Sequence, residues 1–276
     1  MDLREMPGLP ATRHPWEVAR AHFFCALLSD EGLIRGASRV LDVGAGDGYV
    51  AYQLAAAMQR KAEVVCLDPY YSDQHLHSFQ QAAKGTAHVR FTRDSPEGLF
   101  DLILLLDVIE HVPDDHALLT SLVGNRLRPG GWVLVSVPAW QALYTRHDAF
   151  LGHYRRYQPA QLRRLLAQVG LRGVRGGGLF HALLLPRAVG KLAELARGTR
   201  PVPGIEEQGD DTSHGATGVA DAGCGDMQGV GGWAHGPTLT AAVTAMLAAD
   251  NALSSFASRA GVGLPGLSTW ALCRKE

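Results

Sequence analysis

The strongest constraint on this chain is a short run of alternating glycines that follows an apolar stretch. Val40 to Val43 read as a buried strand, and Gly44, Gly46 and Gly48 then occupy every second position before apolar residues resume. Glycine at this density would destabilise a helix or a central strand, because glycine loses the most conformational freedom on folding. It suits a tight turn in which bare backbone approaches a ligand beyond the carboxyl end of a strand. An ordinary strand–turn–helix, with glycines for tightness alone, is the alternative.

Two acidic residues narrow the kind of ligand that this turn can accept. Asp42 stands two residues before the first glycine, and Asp47 lies inside the turn. The glycine spacing is G-x-G-x-G, whereas a dinucleotide fingerprint is G-x-G-x-x-G. Two carboxylates would also repel a pyrophosphate. The pattern therefore favours a ligand with a cationic end and disfavours a nicotinamide dehydrogenase.

Composition narrows the class of protein further. Of the 276 residues 46% are apolar, which is enough for a large core. The formal net charge is −1, which argues against a general nucleic-acid binder. Four cysteines lie far apart in the sequence, so we expect neither a disulfide framework nor a metal site. We see no apolar signal segment and no run long enough to cross a bilayer. We therefore expect a cytoplasmic protein.

Apolar stretches alternate with helical patterns along most of the chain. We predict strands near residues 40–43, 62–67, 88–92, 100–107, 132–137, 172–180 and 266–273. We predict helices over residues 15–30, 49–60, 74–84, 114–127, 159–170, 183–196 and 238–260. Such alternation predicts an α/β fold, with a doubly wound, Rossmann-like parallel sheet and helices on both faces.

Polar residues follow three of these predicted strands. Asp68 comes 20 residues after Gly48, at the end of the next parallel strand, where a carboxylate can accept hydrogen bonds from both hydroxyls of a ribose. Asp94 follows the third strand, and Asp107 closes the fourth. Asp94 is equally explained as a cap of a turn or helix. Because parallel strands end at one edge of the sheet, we expect these side chains to line one crevice.

These motifs together resemble class I S-adenosylmethionine-dependent methyltransferases. The glycine run matches V-L-D-x-G-x-G-x-G, residues 107–112 match D-x-x-E-H-V, and residues 127–138 match L-R-P-G-G-x-x-x-x-S-x-P. The resemblance implies a seven-stranded sheet with an antiparallel last strand, S-adenosylmethionine as cofactor and S-adenosylhomocysteine as product. It assigns cofactor binding to Asp42, Gly44, Ala45, Gly46, Gly48, Asp68, Pro69, Asp94, Ser95, Asp107 and Val108.

The segment from Pro138 to Tyr157 is unusually rich in aromatic and ionisable side chains. Its end, residues 152–157, resembles a G-H-x-R-R-Y segment found in a bacterial subgroup of these methyltransferases. We predict that this segment forms a substrate wall in which two arginines clamp an anionic group. A solvated helix start with internal ion pairs is the alternative. The predicted substrate residues are Tyr144, His147, Arg155, Arg156 and Tyr157.

A catalytic base is needed only when the methyl acceptor is protonated at working pH, as a hydroxyl or an ammonium is. We predict that His153 is this base, because it lies in the unusual segment, and His111 is the second candidate. His111 alternatively positions the cofactor or shapes its loop.

The whole chain reads as one domain, 1–276, with five parts. These are an N-terminal helical cap (1–35), a cofactor-binding core (36–138), a substrate-side segment with a cap helix (139–197), a flexible Gly-rich acidic insertion (198–237), and a final helix and strand (238–276). Glycines and carboxylates without apolar periodicity predict the flexibility of the insertion. The helix over 183–196 caps the substrate mouth, with contact to a membrane surface as the alternative.

The resulting functional prediction is methyl transfer to an oxygen or nitrogen of a small metabolite or natural-product intermediate. The alternative, from a different class, is a non-catalytic S-adenosylmethionine-binding or assembly protein that retains the fold. A nucleic-acid substrate is disfavoured, because residues 107–110 lack the N/D-P-P-Y/F motif of base-modifying relatives and the net charge is near zero.

Overall fold

A single mixed sheet organises the molecule. The computed structural model describes residues 13–58, 62–83, 88–198, 233 and 235–276. The strands of its sheet are β1 (Arg39–Val43), β2 (Glu63–Leu67), β3 (Val89–Thr92), β4 (Phe100–Leu106), β5 (Leu127–Pro138), β6 (Leu171–Leu179) and β7 (Ser268–Lys275).

The strand order is β3-β2-β1-β4-β5-β7-β6. Strands β1 to β5 pair in parallel, whereas β7 runs antiparallel to both of its neighbours, β5 and β6. The chain reverses direction in the sheet order at β1, whose neighbours are β2 and β4. The carboxyl ends of β1, β2 and β4 therefore surround the switch point at which open α/β sheets bind ligands. The predicted seven-stranded sheet with an antiparallel last strand is confirmed.

Helices cover both faces of this sheet. In the described residues they are α1 (Pro15–Asp30), α2 (Leu33–Gly36), α3 (Tyr49–Ala57), α4 (Asp73–Ala82), α5 (Asp115–Asn125), α6 (Arg146–Phe150), α7 (Pro159–Gln168), α8 (Leu184–Ala196) and α9 (Pro237–Arg259).

Two apolar cores follow from the alternation of side chains along each strand. In β1, Val40 belongs to the core that packs under α1, α3, α4 and α9, whereas Leu41 belongs to the core under α5 and α7. Both residues are fully buried. A strand covered on both faces needs apolar residues at successive positions, which explains the continuous apolar runs in the sequence.

Several predicted boundaries shift in the structure. The strand expected from residue 132 begins at Leu127, and its register against β4 shifts between Phe100 and Leu102. Residues 127–131 thus extend the strand rather than only turning into it. Most of the predicted 198–237 insertion lies outside the described residues. Among the helices that the structure does describe, none combines the length and the apolar character needed to cross a membrane.

Candidate active site

The glycine loop between β1 and α3 has a backbone that glycine adopts without strain. Its φ angles are left-handed, at +66°, +55° and +76° for Gly44, Gly46 and Gly48. A Cβ at Gly44 would lie only 2.7 Å from Cγ2 of Val108, the second residue after β4. The backbone N–H groups of Gly44 and Ala45 both donate to the carbonyl of Leu67 at the end of β2. The loop is thereby closed against two neighbouring strands and presents bare backbone at their carboxyl edge.

Carboxylates accumulate along this edge. Asp42 precedes the glycines, Asp47 lies among them, and Asp68 follows β2; all three are buried, while Asp107 after β4 is half-buried. Burial raises the pKa of Asp42 to about 7; Arg20 opposes this rise, and Asp68 and Asp47 add to it. A cation bound at this edge would offset the desolvation that raises this pKa, so the group of carboxylates favours a ligand with a cationic end.

Two arginines lie against these acids: Arg13, which precedes α1, and Arg20, within α1. Arg13 pairs with Asp47, and Arg20, only 4% exposed, pairs with Asp107. The Nε of Arg20 has no hydrogen-bond partner in the described part of the chain. The sequence reading missed both arginines. The spacing of Glu17 and Arg20, three residues apart, would have placed these two on one face of the predicted helix, whereas Arg13 precedes it.

The remaining predicted cofactor residues lie further out along the edge. Pro69, Asp94 and Ser95 are exposed. The Ser95 hydroxyl accepts from Arg126 at 3.0 Å, and the backbone N–H of Asp94 donates to the Thr92 hydroxyl at 3.1 Å. The contact of Asp94 with an adenine stays a prediction.

Glu110 and two histidines meet beside this edge. Glu110 is fully buried in the turn Ile109–His111 that follows β4. Burial raises its pKa to about 8. The ring of His111 lies edge-on to that of His153, with centroids 4.6 Å apart. The structure therefore brings the two predicted catalytic histidines together, next to a carboxylate that was not predicted.

His153 is oriented by a buried acid, Asp148, through a 3.0 Å contact between Nδ1 and Oδ1. Asp148 also accepts from Arg156 Nε at 2.8 Å, from Arg187 Nη2 at 2.7 Å and from the backbone N–H of Thr145 at 2.8 Å. Burial alone would raise the pKa of Asp148, but these donors together hold that pKa well below its usual range. An ionised Asp148 accepts a hydrogen bond only, so Nδ1 of His153 carries the proton.

The predicted anion clamp is occupied by protein groups. Arg155 donates to Asp115 Oδ2 at 3.1 Å and to the carbonyls of Val112 and Pro113. Arg156 is buried against Asp148. The Tyr157 hydroxyl, also buried, donates to Asp115 Oδ2 at 2.6 Å. These contacts agree with the internal ion pairs of the alternative but not with its solvated helix start, since Arg156 and Tyr157 are buried. A role of these residues in substrate binding stays a prediction.

The other two predicted substrate residues are half-buried. The Tyr144 hydroxyl donates to the carbonyl of His153 at 2.7 Å, and burial lowers the pKa of His147. Tyr144 thus supports the histidine loop, and a substrate contact for either residue stays a prediction.

Relatives of the chain are known from their sequences. An uncharacterised methyltransferase of Mycobacterium sp. (strain JLS) is 34% identical over 122 residues, which cover 43% of this chain and 46% of that protein. A ubiquinone biosynthesis O-methyltransferase of Hydrogenovibrio crunogenus is 26% identical over 164 residues, 54% of this chain and 68% of that protein. The chain therefore spans only about half the length of the mycobacterial relative.

A solved structure and a family model also match this chain. A structure from Galdieria sulphuraria, provisionally named a sarcosine dimethylglycine methyltransferase, superposes with a TM-score of 0.53 at 16% identity, covering 93% of this chain and 85% of that one. At that identity the likeness shows the fold alone. A family model described as a methyltransferase domain matches residues 16–175, which include α1, the glycine loop and the histidine pair. This chain belongs to the methyltransferase-domain family.

Proposed function

We propose that the chain transfers the methyl group of S-adenosylmethionine to an oxygen or nitrogen of a small molecule, leaving S-adenosylhomocysteine. The observation that supports this most directly is the glycine loop set among Asp42, Asp47, Asp68 and Asp107. A ligand with a sulfonium, an ammonium and a ribose, but no phosphate, suits a partly desolvated anionic edge.

Each side chain along the edge then has a separate part in binding. Asp68 follows β2, and its Oδ1 accepts from the backbone N–H of Tyr70 at 3.0 Å, which fixes its orientation. We infer that it accepts from the ribose hydroxyls. Arg20 and Asp107 form an ion pair, and we infer that together they take both charges of the amino-acid group: the Asp107 carboxylate its ammonium, and the Arg20 Nε, which has no partner among the described residues, its carboxylate.

The bound donor would supply an electrophilic methyl carbon, whose bonding pair to sulfur leaves with the sulfur. The chain's own contribution is to hold the acceptor atom in line, in a site from which water is excluded. The acceptor must also lose a proton when it is a hydroxyl or an ammonium. We infer that His153 and His111 handle this proton, because Asp148 fixes the His153 tautomer and leaves Nε2 unprotonated in the neutral ring.

Calorimetric titration of the full chain with S-adenosylmethionine tests the proposed ligand. Asp68→Asn keeps an oxygen for Tyr70 but removes the charge, and we expect it to lower affinity by about 1 to 3 kcal/mol. Asp73→Asn is the matched control, since Asp73 is 94% exposed at the start of α4. Equal affinity of wild type and Asp68→Asn would refute the ribose assignment.

Mass-spectrometric detection of S-adenosylhomocysteine tests turnover against a panel of phenols, catechols, carboxylates and amines. Methyl transfer to a panel member would support the proposed activity and show which atom is modified. Tight cofactor binding without turnover on any member would instead favour the non-catalytic binding protein.

A further inference from the structure

Glu110, His111 and His153 form a compact group of potential metal ligands. One ligand atom from each of the three lies within 4.8 Å of the others. The backbone joins the two loops that carry them, since the N–H of Tyr154 donates to the carbonyl of Glu110 at 2.8 Å. This backbone contact therefore holds together the two loops that carry the three side chains.

The carboxylate of Glu110 is an unusual buried group. It is 0% exposed, and neither of its oxygens has a hydrogen-bond partner among the described residues. A buried polar atom without a partner is destabilising, and a buried carboxylate more so. A bound cation would give these oxygens a partner and stabilise the ionised form, which burial disfavours.

The imidazole of His153 is prepared for a metal by its second nitrogen. Its Nδ1 is held by Asp148, whose carboxylate is itself fixed by Arg156, Arg187 and Thr145. Histidines that bind metals commonly donate their other ring N–H to a carboxylate in this way, which fixes the ring and the tautomer. Asp148 thus leaves Nε2 of His153 with its lone pair available.

We propose that Glu110, His111 and His153 bind a divalent transition-metal ion, such as Zn²⁺, with a coordination position left for the methyl acceptor. Two imidazoles and one carboxylate suit transition metals, whereas Mg²⁺ and Ca²⁺ prefer oxygen ligands alone. Three protein ligands with an open position are typical of catalytic rather than structural zinc sites. The proposal departs from the absence of a metal site that the cysteine count led us to expect.

The metal site would also take part in the proposed methyl transfer, and this part of the inference rests on the proposed function. Glu110 and His111 follow Asp107 by three and four residues, and the ring of His153 contacts that of His111, so the group lies beside the proposed donor crevice. An acceptor hydroxyl bound to the ion would release its proton to solvent before methyl transfer, at a lower pH than in water, as metal-bound water does. The two histidines would then act on the acceptor through the metal instead of as free bases.

Metal binding is tested on the full chain, without cofactor or acceptor. The chelator-treated protein is titrated with Zn²⁺ in a calorimeter, and bound metal is counted by elemental analysis. We expect one strongly bound ion per chain. We expect Glu110→Gln and His153→Ala to abolish it, and Asp148→Asn to weaken it by roughly 10- to 100-fold. His116→Ala, which removes an exposed histidine of α5, is the matched control and should bind as wild type does.

Substitution with Co²⁺ keeps the test decisive if a variant fails to fold. Visible absorption of cobalt held by nitrogen and oxygen in the wild type would support the proposal. A sulfur-to-cobalt charge-transfer band would place the ion on cysteine and overturn it, as would wild-type affinity in His153→Ala. Because no cofactor is present, a lack of S-adenosylmethionine binding in separate titrations would count only against the proposed function.

Discussion

The guanidinium of Arg20 on α1 forms an ion pair with the carboxylate of Asp107, 87 residues further along the chain at the end of β4. Arg20 also lies over the ring of Trp16, with 4.4 Å between the guanidinium carbon and the ring centroid. A helix that precedes the sheet in sequence thus neutralises an acid at the carboxyl edge of the sheet. The first helix is therefore part of the candidate site, not only a cover for the core.

Replacing Arg20 by Met tests how much this ion pair contributes to stability and to cofactor affinity. The apolar stem is kept, but Asp107 loses its cation within a partly desolvated site. We expect the free energy of unfolding to fall by about 1 to 3 kcal/mol and S-adenosylmethionine affinity to fall as well. Urea denaturation and calorimetry measure the two effects.

The control for this change is Arg259→Met. Arg259 pairs with Asp30 but is 59% exposed, and exposed pairs contribute only about 0 to 1 kcal/mol. The double variant Arg20→Met with Asp107→Asn should regain part of the lost stability, because no unpaired carboxylate is left. Equal losses in Arg20→Met and Arg259→Met would contradict the role given to Arg20.

Gly44→Ala tests the requirement for bare backbone in the loop. An added Cβ would meet Val108 at 2.7 Å, and φ of +66° is strained for alanine. We expect a loss of about 1 to 3 kcal/mol in stability, together with weaker cofactor binding. Thermal and urea unfolding, followed by calorimetry on the folded variant, give both values.

Gly124→Ala supplies the matched comparison. Gly124 lies inside α5, and a Cβ there would meet nothing within 4 Å. Alanine is favoured over glycine in a helix by roughly 0.5 to 1 kcal/mol, so this variant should be more stable than wild type. Adding Val108→Ala to Gly44→Ala should relieve the clash but not the strained φ. Unchanged stability in Gly44→Ala would refute this account of the loop.

Local sequence patterns predicted the frame of the site better than its charges. The loop after β1 and the acid Asp68 were predictable, because glycine spacing and strand ends are properties of a few neighbouring residues. The partners of Arg20 and Arg156 were not, since an arginine that neutralises a buried acid and one that awaits an anion look alike in sequence. Glu110 was visible only inside the D-x-x-E-H-V motif, and its complete burial depends on how distant segments pack.

Asp42 predicts a pH dependence of stability. Its pKa rises from 3.8 to about 7 on folding, chiefly through burial. Between these values the unfolded state has lost the proton that the folded state keeps, so stability falls as pH rises. The contribution has a slope of up to about 1.4 kcal/mol per pH unit and levels off above pH 7.

The difference between wild type and Asp42→Asn isolates this contribution, because other titrating groups cancel. Urea denaturation at intervals from pH 4 to pH 8 should show Asp42→Asn gaining on wild type as pH rises. Asp73→Asn, at an exposed position, should run parallel to wild type. A difference that stays constant across this range, or that changes in the opposite direction, would mean that Asp42 ionises normally in the folded chain.

Arg156→Met distinguishes a structural arginine from an anion clamp. Arg156 is 7% exposed and donates to Asp148 at 2.8 Å, so its loss leaves a buried carboxylate with fewer donors. Because Arg187 and His153 still contact Asp148, we expect a loss of about 2 to 3 kcal/mol rather than the full cost of an unpaired buried charge. Arg163→Met, at an exposed position of α7, should change stability by less than about 0.5 kcal/mol. Urea midpoints for the two variants decide the matter. An unchanged midpoint in Arg156→Met would show that its guanidinium does not stabilise the fold. That result would favour the predicted role of Arg156 in binding an anionic substrate group.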